Sequence, residues 1–576
     1  MKDVIRDCLE AALKRLQESG ELKSCELENM QVSLPKNPAH GDFSTNVAMV
    51  LAKRLGMAPV ELAQRLAVEV HNDDLVEHVE VAGPGFINLR LAPQHLSATI
   101  ETILTAGNEF GRKQIGASRK VQVEFVSANP TGPLHIGHGR GAAYGAALAA
   151  LLDCCGFEVT REYYVNDAGR QMDILAASVW LRYLEALGTA IKFPAKAYQG
   201  DYIEELATAL KDDFGHRFQR AAPQIEESDE ELVLDRNIEV MKRSLEAEDF
   251  LFVHQFAKDA MVNMIKTDLD AFGVGFDSWF SERSLEDSGA VAATLSRLRD
   301  AEQLYTNQGA EWFRSTSFGD EKDRVVTREN GLGTYFASDI AYHADKYARG
   351  FAEIIDVWGA DHHGYIPRVR AAMTALGLDA DRIDILLVQF AALQRGGKPV
   401  AMSTRSGEFV TLKELIDEIG RDAARFFYVM RRADQHLEID IDLAVSKSND
   451  NPVFYVQYAH ARCCSVSRQL AERGLERDAQ RRDLELVQND PGGRALILSL
   501  ANFPDVIEAA AMAREPHQVT NYLRDLASQF HSYYDKNKVL VEAIAEREAR
   551  LAILQATQQV IRLGLGLIGV GAPERM

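Results

Sequence analysis

The sequence has little cysteine and no long uninterrupted apolar run. Its six cysteines comprise two single residues and two adjacent pairs, with no C-x-x-C spacing. A disulfide framework and a structural metal site are therefore not indicated, and buried reduced thiols are expected. No stretch reaches the length of a membrane span, and residues 1–20 show a charged amphipathic pattern without the apolar core of a signal peptide. The sequence thus predicts a cytoplasmic protein that does not contact a membrane.

Positive charge is also scarce. The chain has 64 Lys and Arg against 85 Asp and Glu, which gives a net charge of −21. Non-specific binding to phosphates requires clustered Lys and Arg, so the composition argues against a general nucleic-acid coat. It does not exclude an enzyme that holds RNA with local basic patches. The length of 576 residues, 46% of them hydrophobic, predicts roughly three or four domains.

The most informative stretch lies between a predicted strand at 121–126 and a predicted helix at 142–155. A helix that begins after a strand presents unpaired N–H groups and the positive end of its dipole, where phosphate can bind. His135 and His138 lie at this point, and Gly137 and Gly139 leave room for a nucleotide beside the backbone. Two donors there could stabilise charge on an α-phosphate. The alternative is that the histidines cap a helix and the glycines allow close packing.

Periodicity divides the chain into four parts. Residues 1–115 predict a small α+β domain, and residues 451–576 are almost entirely helical. Residues 116–420 predict a parallel sheet with an acidic helical insertion at about 193–265, followed by junction helices at 421–450. The predicted strands of the sheet are 121–126, 158–165, 276–280, 354–358 and 385–390. Functional residues are expected where these strands end.

The string EFVSANPTGPLH at 124–135, continued by HIGH at 135–138, resembles the arginyl-tRNA synthetase family of class I aminoacyl-tRNA synthetases. GDF at 41–43, AGPGFIN at 82–88 and GVGAPERM at 569–576 resemble the ends of the same family, so the resemblance covers the whole chain. It implies an α/β fold in which a class I Rossmann-type nucleotide-binding catalytic domain carries an insertion. The resemblance also implies an α+β N-terminal appended domain that touches the tRNA elbow, and an all-α C-terminal anticodon-binding bundle.

The resemblance implies an arginine–tRNA ligase. Such an enzyme activates L-arginine with ATP to arginyl-adenylate and transfers the arginyl group to the 3′-terminal adenosine of tRNA(Arg), which releases AMP and pyrophosphate. ATP is then a substrate accompanied by Mg²⁺, and the partners are L-arginine and tRNA(Arg). The protein is expected to be a monomer. In the helical part, aromatic side chains would either form the core or stack on anticodon bases: Tyr455, Tyr458, Tyr522, Phe530, Tyr533 and Tyr534.

The resemblance also assigns site residues. The catalytic residues are His135, His138 and Lys398. ATP is assigned to Gly132, Pro133, His135, Gly137, His138, Met402 and Ser403, and arginine to Glu124, Asn129, Tyr335, Asp339 and Asp361. A guanidinium is always charged and offers a planar fork of donors, which carboxylates accept in pairs. Asp339 taken alone could equally be the N-cap of a helix.

The second class I signature departs from its usual form. The segment 396–407 resembles K-M-S-K-S, but Ala401 and Thr404 replace its two lysines. In the family an upstream lysine, here Lys398, is thought to supply the charge for the β- and γ-phosphates. The physical requirement is a mobile cation that follows the pyrophosphate as it leaves. The alternative for this segment is an ordinary basic surface loop.

Other functions remain open at this point. A nucleotidyltransferase of the HxGH superfamily shares the loop and the sheet, but it predicts a shorter chain without a helical C-terminal part. A synthetase-like RNA-binding or regulatory protein would keep the fold without catalysis, and the altered second signature favours it. Class I synthetases for cysteine or methionine are expected to show zinc-ligand cysteines, which this sequence lacks.

Overall fold

The computed structural model describes residues 1–576 except 27–29, 36, 38–39, 195, 227, 229, 401–409 and 476. Tertiary contacts divide the chain into two compact units. One unit combines residues 1–113 with residues 447–576, and the other spans residues 114–446. The predicted N-terminal and C-terminal parts of the chain therefore belong to one unit.

The centre of unit 114–446 is a five-stranded sheet in which every neighbouring pair is parallel. Its strands, in spatial order, are Ile383–Val388, Glu353–Gly359, Lys120–Phe125, Glu158–Val165 and Ser278–Ser281. All five predicted strands are confirmed, with ends shifted by no more than two residues. The order of the strands reverses between Lys120–Phe125 and Glu353–Gly359. In open parallel sheets, ligands bind beyond the carboxyl ends of the strands at such a point.

Helices cover the sheet and form the insertion. Their bounds are Ile136–Cys154, Arg170–Ala186, Asp201–Phe214, Glu231–Leu245, Ala247–Ala271, Arg283–Asp287, Ala290–Asp300, Tyr335–Ala348, Ile366–Ala375, Leu412–Ile419, Arg421–Val429 and Ile441–Val445. Short 3-10 turns lie at Ser315–Phe318, Ala360–Tyr365 and Ala380–Arg382. The acidic insertion is helical as predicted, and its helices pack on a core that contains the fully buried Trp180. Its last helix runs on to Ala271, so the boundary expected near 265 lies inside a continuous helix.

Two small sheets complete this unit. Leu304–Asn307, Ala310–Phe313 and Arg324–Thr327 form an antiparallel sheet. Lys398–Pro399, Ala391–Arg395 and Leu437–Asp440 form the other, in which the last two strands are parallel. The sequence predicted only helices for 421–450, and Leu437–Asp440 corrects this. A strand of four residues carries too short an alternation to be recognised without its pairing partner.

The unit of residues 1–113 and 447–576 contains a four-stranded antiparallel sheet and ten helices among its described residues. The strands, in spatial order, are Val32–Ser33, Phe43–Thr45, Phe86–Leu91 and Val76–Ala82. The helices are Lys2–Glu18, Val47–Leu55, Pro59–His71, Pro93–Ala106, Pro452–Glu472, Glu485–Gln488, Pro491–Ala501, Phe503–Met512, His517–Lys536 and Ile544–Leu567, and 3-10 turns lie at Gly107–Glu109 and Ala479–Arg481.

One segment corrects the expectation that no stretch is long and apolar enough to span a membrane. Pro491–Met512 meets that test by length and composition, with a mean hydropathy of 1.4. Of this window, 61% is buried inside the unit. The segment consists of two helices that meet at Asn502, and Arg494 and Asp505 are buried within it. Core helices of a packed bundle share this composition, because they are apolar on most of their surface.

A buried ion pair joins the first and last parts of this unit. The guanidinium of Arg494 donates to both carboxylate oxygens of Asp42, at 2.9 and 2.6 Å. It also donates to the carbonyl of Leu91 at 2.8 Å, and the N–H of Leu91 donates to Asp42 at 2.7 Å. Asp42 belongs to the GDF string at 41–43, so that string fixes the small sheet against the helices.

Candidate active site

The two histidines of the HIGH string are held by the first turn of the helix Ile136–Cys154. His135 is the N-cap, and its Nδ1 accepts from the N–H of Gly137 at 3.1 Å. Nδ1 of His138 accepts from the N–H of His135 at 3.3 Å, and the two ring centroids lie 3.6 Å apart. The prediction that these histidines cap the helix is confirmed. Capping engages both rings through Nδ1, so it does not itself use the Nε2 atoms.

Both imidazoles are held neutral. Burial lowers the pKa of His135. Burial and the neighbouring His135 lower the pKa of His138 to about 3. Since both Nδ1 atoms accept from backbone N–H groups, the proton of each neutral ring lies on Nε2. The helix terminus therefore presents two neutral imidazole donors rather than two cations.

The glycines beside these histidines allow close packing. A Cβ at Gly139 would collide with the side chains of Leu412 and Tyr428, and a Cβ at Gly137 would meet the ring of His135. The hydroxyl of Tyr428 donates to the carbonyl of Ile136 at 2.8 Å. Close packing is thus confirmed for Gly139, which brings the helix Arg421–Val429 against the HIGH turn.

The chain returns to this turn after the second signature. Lys398 is exposed on the short strand Lys398–Pro399. After the segment 401–409, the carbonyl of Val410 accepts from the N–H of Ile136 at 3.2 Å, and the N–H of Leu412 donates to Leu134 at 2.7 Å. The predicted residues Met402 and Ser403 lie outside the described residues. The chain that follows the second signature is therefore hydrogen-bonded directly to the first signature.

Arg140 was not identified from the sequence. Its side chain is 1% exposed and donates to the carbonyls of Gln389, Gln435 and Arg432 at 2.7, 2.7 and 2.8 Å. These carbonyls lie beside the strands Ala391–Arg395 and Leu437–Asp440, which carry the hairpin of Lys398. A charged residue on a helix of small apolar residues was the available signal. Arg140 ties the base of the second signature to the HIGH helix.

A cavity of about 390 Å³ lies at the carboxyl ends of the central strands. Four of the five predicted arginine-binding residues line it: Glu124, Asn129, Tyr335 and Asp339. Asp361 is absent from its described lining; its side chain is 57% exposed and lies 3.3 Å from Nδ1 of His362. The structure thus brings together predicted residues from distant parts of the sequence, with Asp361 placed outside the cavity wall.

Two carboxyl groups of the cavity have raised pKa values. Burial raises the pKa of Asp339 to about 6, against the lowering effect of His343. Burial, with Asp339 nearby, raises the pKa of Glu282 to about 7. Glu282 is 4% exposed, and its Oε2 has no hydrogen-bond partner among the described atoms. Two such groups close together ionise at a higher pH than isolated carboxyl groups do, and a cation bound between them would favour their ionised forms.

Asp339 is not a helix N-cap. The helix Tyr335–Ala348 has Thr334 as its N-cap, and Asp339 lies in its second turn. Glu282 is a cavity residue that the sequence analysis missed. It directly follows the strand Ser278–Ser281, so the rule that functional residues follow strand ends could have identified it.

Glu124 is held by three donors. Its Oε1 accepts from the hydroxyl of Ser127 at 2.8 Å, and its Oε2 accepts from Lys346 Nζ at 2.6 Å and from the hydroxyl of Tyr342 at 2.8 Å. Val126 and Ser127 have φ values of +70° and +41°. Left-handed backbone is costly for residues other than glycine, above all for a β-branched one. This strained turn directs the Ser127 hydroxyl back onto Glu124.

Asn129 lies on the same loop. Its amide donates to Oε1 of Gln171 at 2.7 Å, which fixes the side chain at the mouth of the cavity. Gly132 is next to the ring of Tyr202, whose hydroxyl donates to the carbonyl of Thr131 at 2.8 Å. The loop between strand and helix is therefore supported along its length by side-chain contacts.

Comparison with known proteins gives matches along the whole chain. The family models described as "Arginyl tRNA synthetase N terminal domain", "tRNA synthetases class I (R), catalytic domain" and "DALR anticodon binding domain" match residues 3–91, 99–441 and 456–576. The chain is 53% identical to an arginine–tRNA ligase of Thioalkalivibrio sulfidiphilus over 586 aligned positions, and 52% identical to one of Halorhodospira halophila over 584. Each comparison covers 100% of both chains.

The fold agrees with a solved structure. The arginyl-tRNA synthetase of Thermus thermophilus superimposes with a TM-score of 0.75 at 23% identity, and 100% of each chain is covered. Similarity over the full length sets aside the shorter nucleotidyltransferase, the synthetases for cysteine and methionine, and the non-catalytic alternative. The chain belongs to the arginyl-tRNA synthetase family, the class I arginine–tRNA ligases.

Proposed function

We propose that this chain, as an arginine–tRNA ligase, holds arginine in the cavity at the carboxyl ends of the central strands and the phosphates of ATP at the His135–His138 turn. The observation that carries the proposal is the pair formed by Glu282 and Asp339. Both residues line the cavity. Burial raises the pKa of Glu282 to about 7 and that of Asp339 to about 6. An empty site of this kind favours a cationic ligand.

A guanidinium fits these two carboxyl groups. It offers five N–H donors in one plane and stays charged at every physiological pH. A carboxylate on each side of the fork would accept from different N–H groups, with the half-exposed ring of Tyr335 beside them. Lysine would leave acceptors unpaired in a buried site, which costs more than a lost methylene contact. The cavity thus accounts for the choice of arginine over lysine.

Glu124 and Asn129 would meet the α-amino group of arginine. Lys346 already offsets charge on Glu124, so the carboxylate can accept from an ammonium without the full cost of an isolated buried charge. The α-carboxylate then attacks the α-phosphorus of ATP, and pyrophosphate leaves. A ribose hydroxyl of the terminal adenosine of tRNA next attacks the arginyl carbonyl, and AMP leaves. The carboxylate nucleophile is already ionised, so the first step needs no general base.

The HIGH turn and Lys398 would stabilise the charge that develops on the phosphates. Neutral His135 and His138 donate through Nε2, and the dipole of the helix Ile136–Cys154 adds to their effect. Gly132, Pro133, Gly137, Met402 and Ser403 are the further residues that we assign to ATP. Lys398 would supply positive charge to the leaving pyrophosphate. Mg²⁺ enters with ATP as part of the substrate, coordinated by phosphate oxygens and water.

The helical part of the chain would bind the anticodon. Its aromatic residues fall into two groups: Tyr522, Phe530 and Tyr533 are buried, whereas Tyr455, Tyr458 and Tyr534 are half-buried. Two of the half-buried rings lie beside Arg462, whose guanidinium is 4.8 and 4.9 Å from the rings of Tyr458 and Tyr534. Half-buried aromatic rings beside a guanidinium are suited to stacking on bases.

The proposed roles follow the order of the domains along the chain. We assign tRNA-elbow contact to residues 1–115, catalysis to 116–420 with the insertion at about 193–265, a junction to 421–450 and anticodon binding to 451–576. We also infer a cytoplasmic monomer that acts away from membranes.

ATP–pyrophosphate exchange with tRNA(Arg) present tests the proposal. Arginine should support exchange, whereas lysine and citrulline, the neutral isostere of arginine, should not. Asp339→Asn should raise the arginine KM by about 100-fold or more, the cost of a lost charged hydrogen bond in a buried site. Asp361→Asn is the matched control. If citrulline is used as well as arginine, the carboxylate pair does not select the substrate.

A further inference from the structure

A second cavity lies beside the insertion and shares no lining residue with the arginine cavity. Its volume is about 560 Å³, and residues of three helices line it: Arg170–Ala186, Glu231–Leu245 and Ala247–Ala271. Arg283, at the start of the helix Arg283–Asp287, completes the wall. Arg283 directly follows Glu282, which lines the arginine cavity. Neither the sequence patterns nor the reaction uses this second cavity.

Positive charge is concentrated in this cavity, although the protein as a whole is acidic. Lys242, Arg243 and Arg283 line the cavity together with two acids, Asp173 and Glu246. The net charge of the whole chain is −21, so a wall with more cations than anions is a local exception. Lys242 is paired with Asp173 at 2.9 Å. The two guanidinium groups and the carboxylate of Glu246 remain, so the wall keeps an excess of one positive charge.

The two arginines have few partners. The side chain of Arg283 makes one long hydrogen bond, to the carbonyl of Asp167 at 3.4 Å. Arg243 is exposed and has no ion pair or hydrogen bond to a side chain within the part of the chain that the structure describes. A guanidinium can bind a phosphate through two parallel N–H donors. Two guanidinium groups that have no ion pair among the described residues and share one concave wall are suited to an anion of more than one negative charge.

A buried histidine in the same wall also lacks a partner. His254 is 4% exposed, and its Nδ1 has no hydrogen-bond partner among the described residues. A buried polar atom without a partner is uncommon, because it loses the hydrogen bond it would make with water. A ligand oxygen in the cavity would lie next to this ring. Leu251, which is 55% exposed, adds an apolar surface beside the charged groups, whereas Phe250 is buried within the wall.

We propose that this cavity binds the phosphate group of a nucleotide, with Arg243 and Arg283 on the phosphate and the nucleoside against Leu251. The nucleotide can come from two sources that share this chemistry. It is either a unit of the bound tRNA, whose backbone phosphate enters the cavity, or a free mononucleotide. The site is separate from the arginine cavity, so it does not depend on the proposed roles of Glu282 and Asp339.

The test compares Arg243→Gln and Arg283→Gln with Arg236→Gln in the full-length protein. Arg236 lies on the same helix as Arg243 but pairs with Glu226 at 2.8 Å and is outside the cavity. The dissociation constant for tRNA(Arg) is measured over a range of salt concentrations. Binding of cytidine monophosphate, which is neither substrate nor product, is measured by calorimetry. Exchange activity with saturating tRNA and thermal unfolding show that each variant is folded and that arginine activation is intact.

If tRNA supplies the phosphate, each cavity variant should weaken tRNA binding by about tenfold. It should also reduce the slope of log affinity against log salt by about 0.7–0.9, and Arg236→Gln should change neither. If a free nucleotide is the ligand, wild type should bind cytidine monophosphate saturably, the cavity variants should not, and tRNA affinity should stay constant. Unchanged tRNA affinity together with equal or absent binding of cytidine monophosphate would overturn the proposal. If Arg283→Gln disturbs the adjacent Glu282, the result with Arg243→Gln is used alone to decide the proposal.

Discussion

Lys346 donates a hydrogen bond of 2.6 Å to Oε2 of Glu124, a residue 222 positions earlier in the chain. The same ammonium donates to Oδ1 of Asp356 at 2.6 Å, and the lysine side chain has no exposed surface. Burial would lower the pKa of Lys346, but the carboxylates of Asp356 and Glu124 outweigh burial and raise it. One buried cation therefore ties together the two strands at which the sheet order reverses.

Lys346→Met should destabilise the protein strongly. The substitution leaves the carboxylates of Glu124 and Asp356 buried without their cation, and breaking a buried pair costs about 3–5 kcal/mol. Urea unfolding followed by far-UV circular dichroism measures the change. Lys413→Met is the control, because the pair of Lys413 with Asp417 lies on the surface and its loss should not change stability measurably. Equal midpoints for the two variants would contradict a structural role for Lys346.

Arginine binding should weaken as the pH falls from about 8 to about 5.5. The pKa values of Glu282 and Asp339 are about 7 and about 6, so both groups gain protons over this range in the empty site. A bound guanidinium favours the ionised carboxylates, and binding near pH 6.5 should therefore release about one proton per arginine. Calorimetry in buffers of different ionisation enthalpy counts these protons. Binding without proton release at that pH would show that the two groups are already ionised.

Glu282→Gln should stabilise the empty protein at pH 8 while it weakens arginine binding. The folded state holds the Glu282 proton more tightly than the unfolded state, so this group favours folding at low pH and loses that effect as the pH rises through about 7. Removing the charge should add roughly 1–3 kcal/mol at pH 8 and little at pH 5. Thermal unfolding at both pH values measures the difference. Asp361→Asn, on the exposed Asp361, should change neither stability nor arginine affinity.

His135→Asn should lower turnover and leave the fold unchanged. Asparagine is a good N-cap, so the helix Ile136–Cys154 keeps its first turn, but the Nε2 donor is lost. Removing one such donor should reduce kcat for exchange by about 10²–10³-fold. Because both histidines are already neutral, kcat in the wild type should show no histidine ionisation between about pH 6.5 and pH 8.5. If kcat of the variant equals that of the wild type, the imidazole of His135 serves only to cap the helix.

Asp42→Asn should destabilise the unit of residues 1–113 and 447–576. Its partner Arg494 is buried and would lose its bidentate carboxylate, at a cost of about 3–5 kcal/mol. Glu77→Gln, on the exposed pair of Glu77 with Arg90, is the control and should be neutral. Limited proteolysis detects the loosened contact between the small sheet and the helices. Equal protease resistance in both variants would mean that Asp42 does not hold the two parts together.

Local patterns in the sequence were sufficient to predict the elements of the catalytic sheet. Alternating and continuous apolar runs marked each parallel strand, and the HIGH string marked the helix that follows the first of them, because both signals depend on neighbouring residues only. The helix itself begins six residues before the predicted 142, at Ile136. His135 caps it there through a ring nitrogen, a contact that apolar periodicity does not register.

Prediction of the site required knowledge of contacts between distant parts of the chain. Local signals could mark Glu282 and Arg140 as unusual, but spacing could not predict the partners of Glu282, Arg140 and Lys346. These partners lie far away in sequence, and only the packed structure brings them together. Asp361 follows a strand end as a functional residue would, yet the 3-10 turn Ala360–Tyr365 leaves its side chain exposed. The sequence by itself determined which strands and motifs exist. Only the tertiary structure decided which carboxylates share a cavity and which cations neutralise them, because burial and charge pairing depend on three-dimensional neighbours.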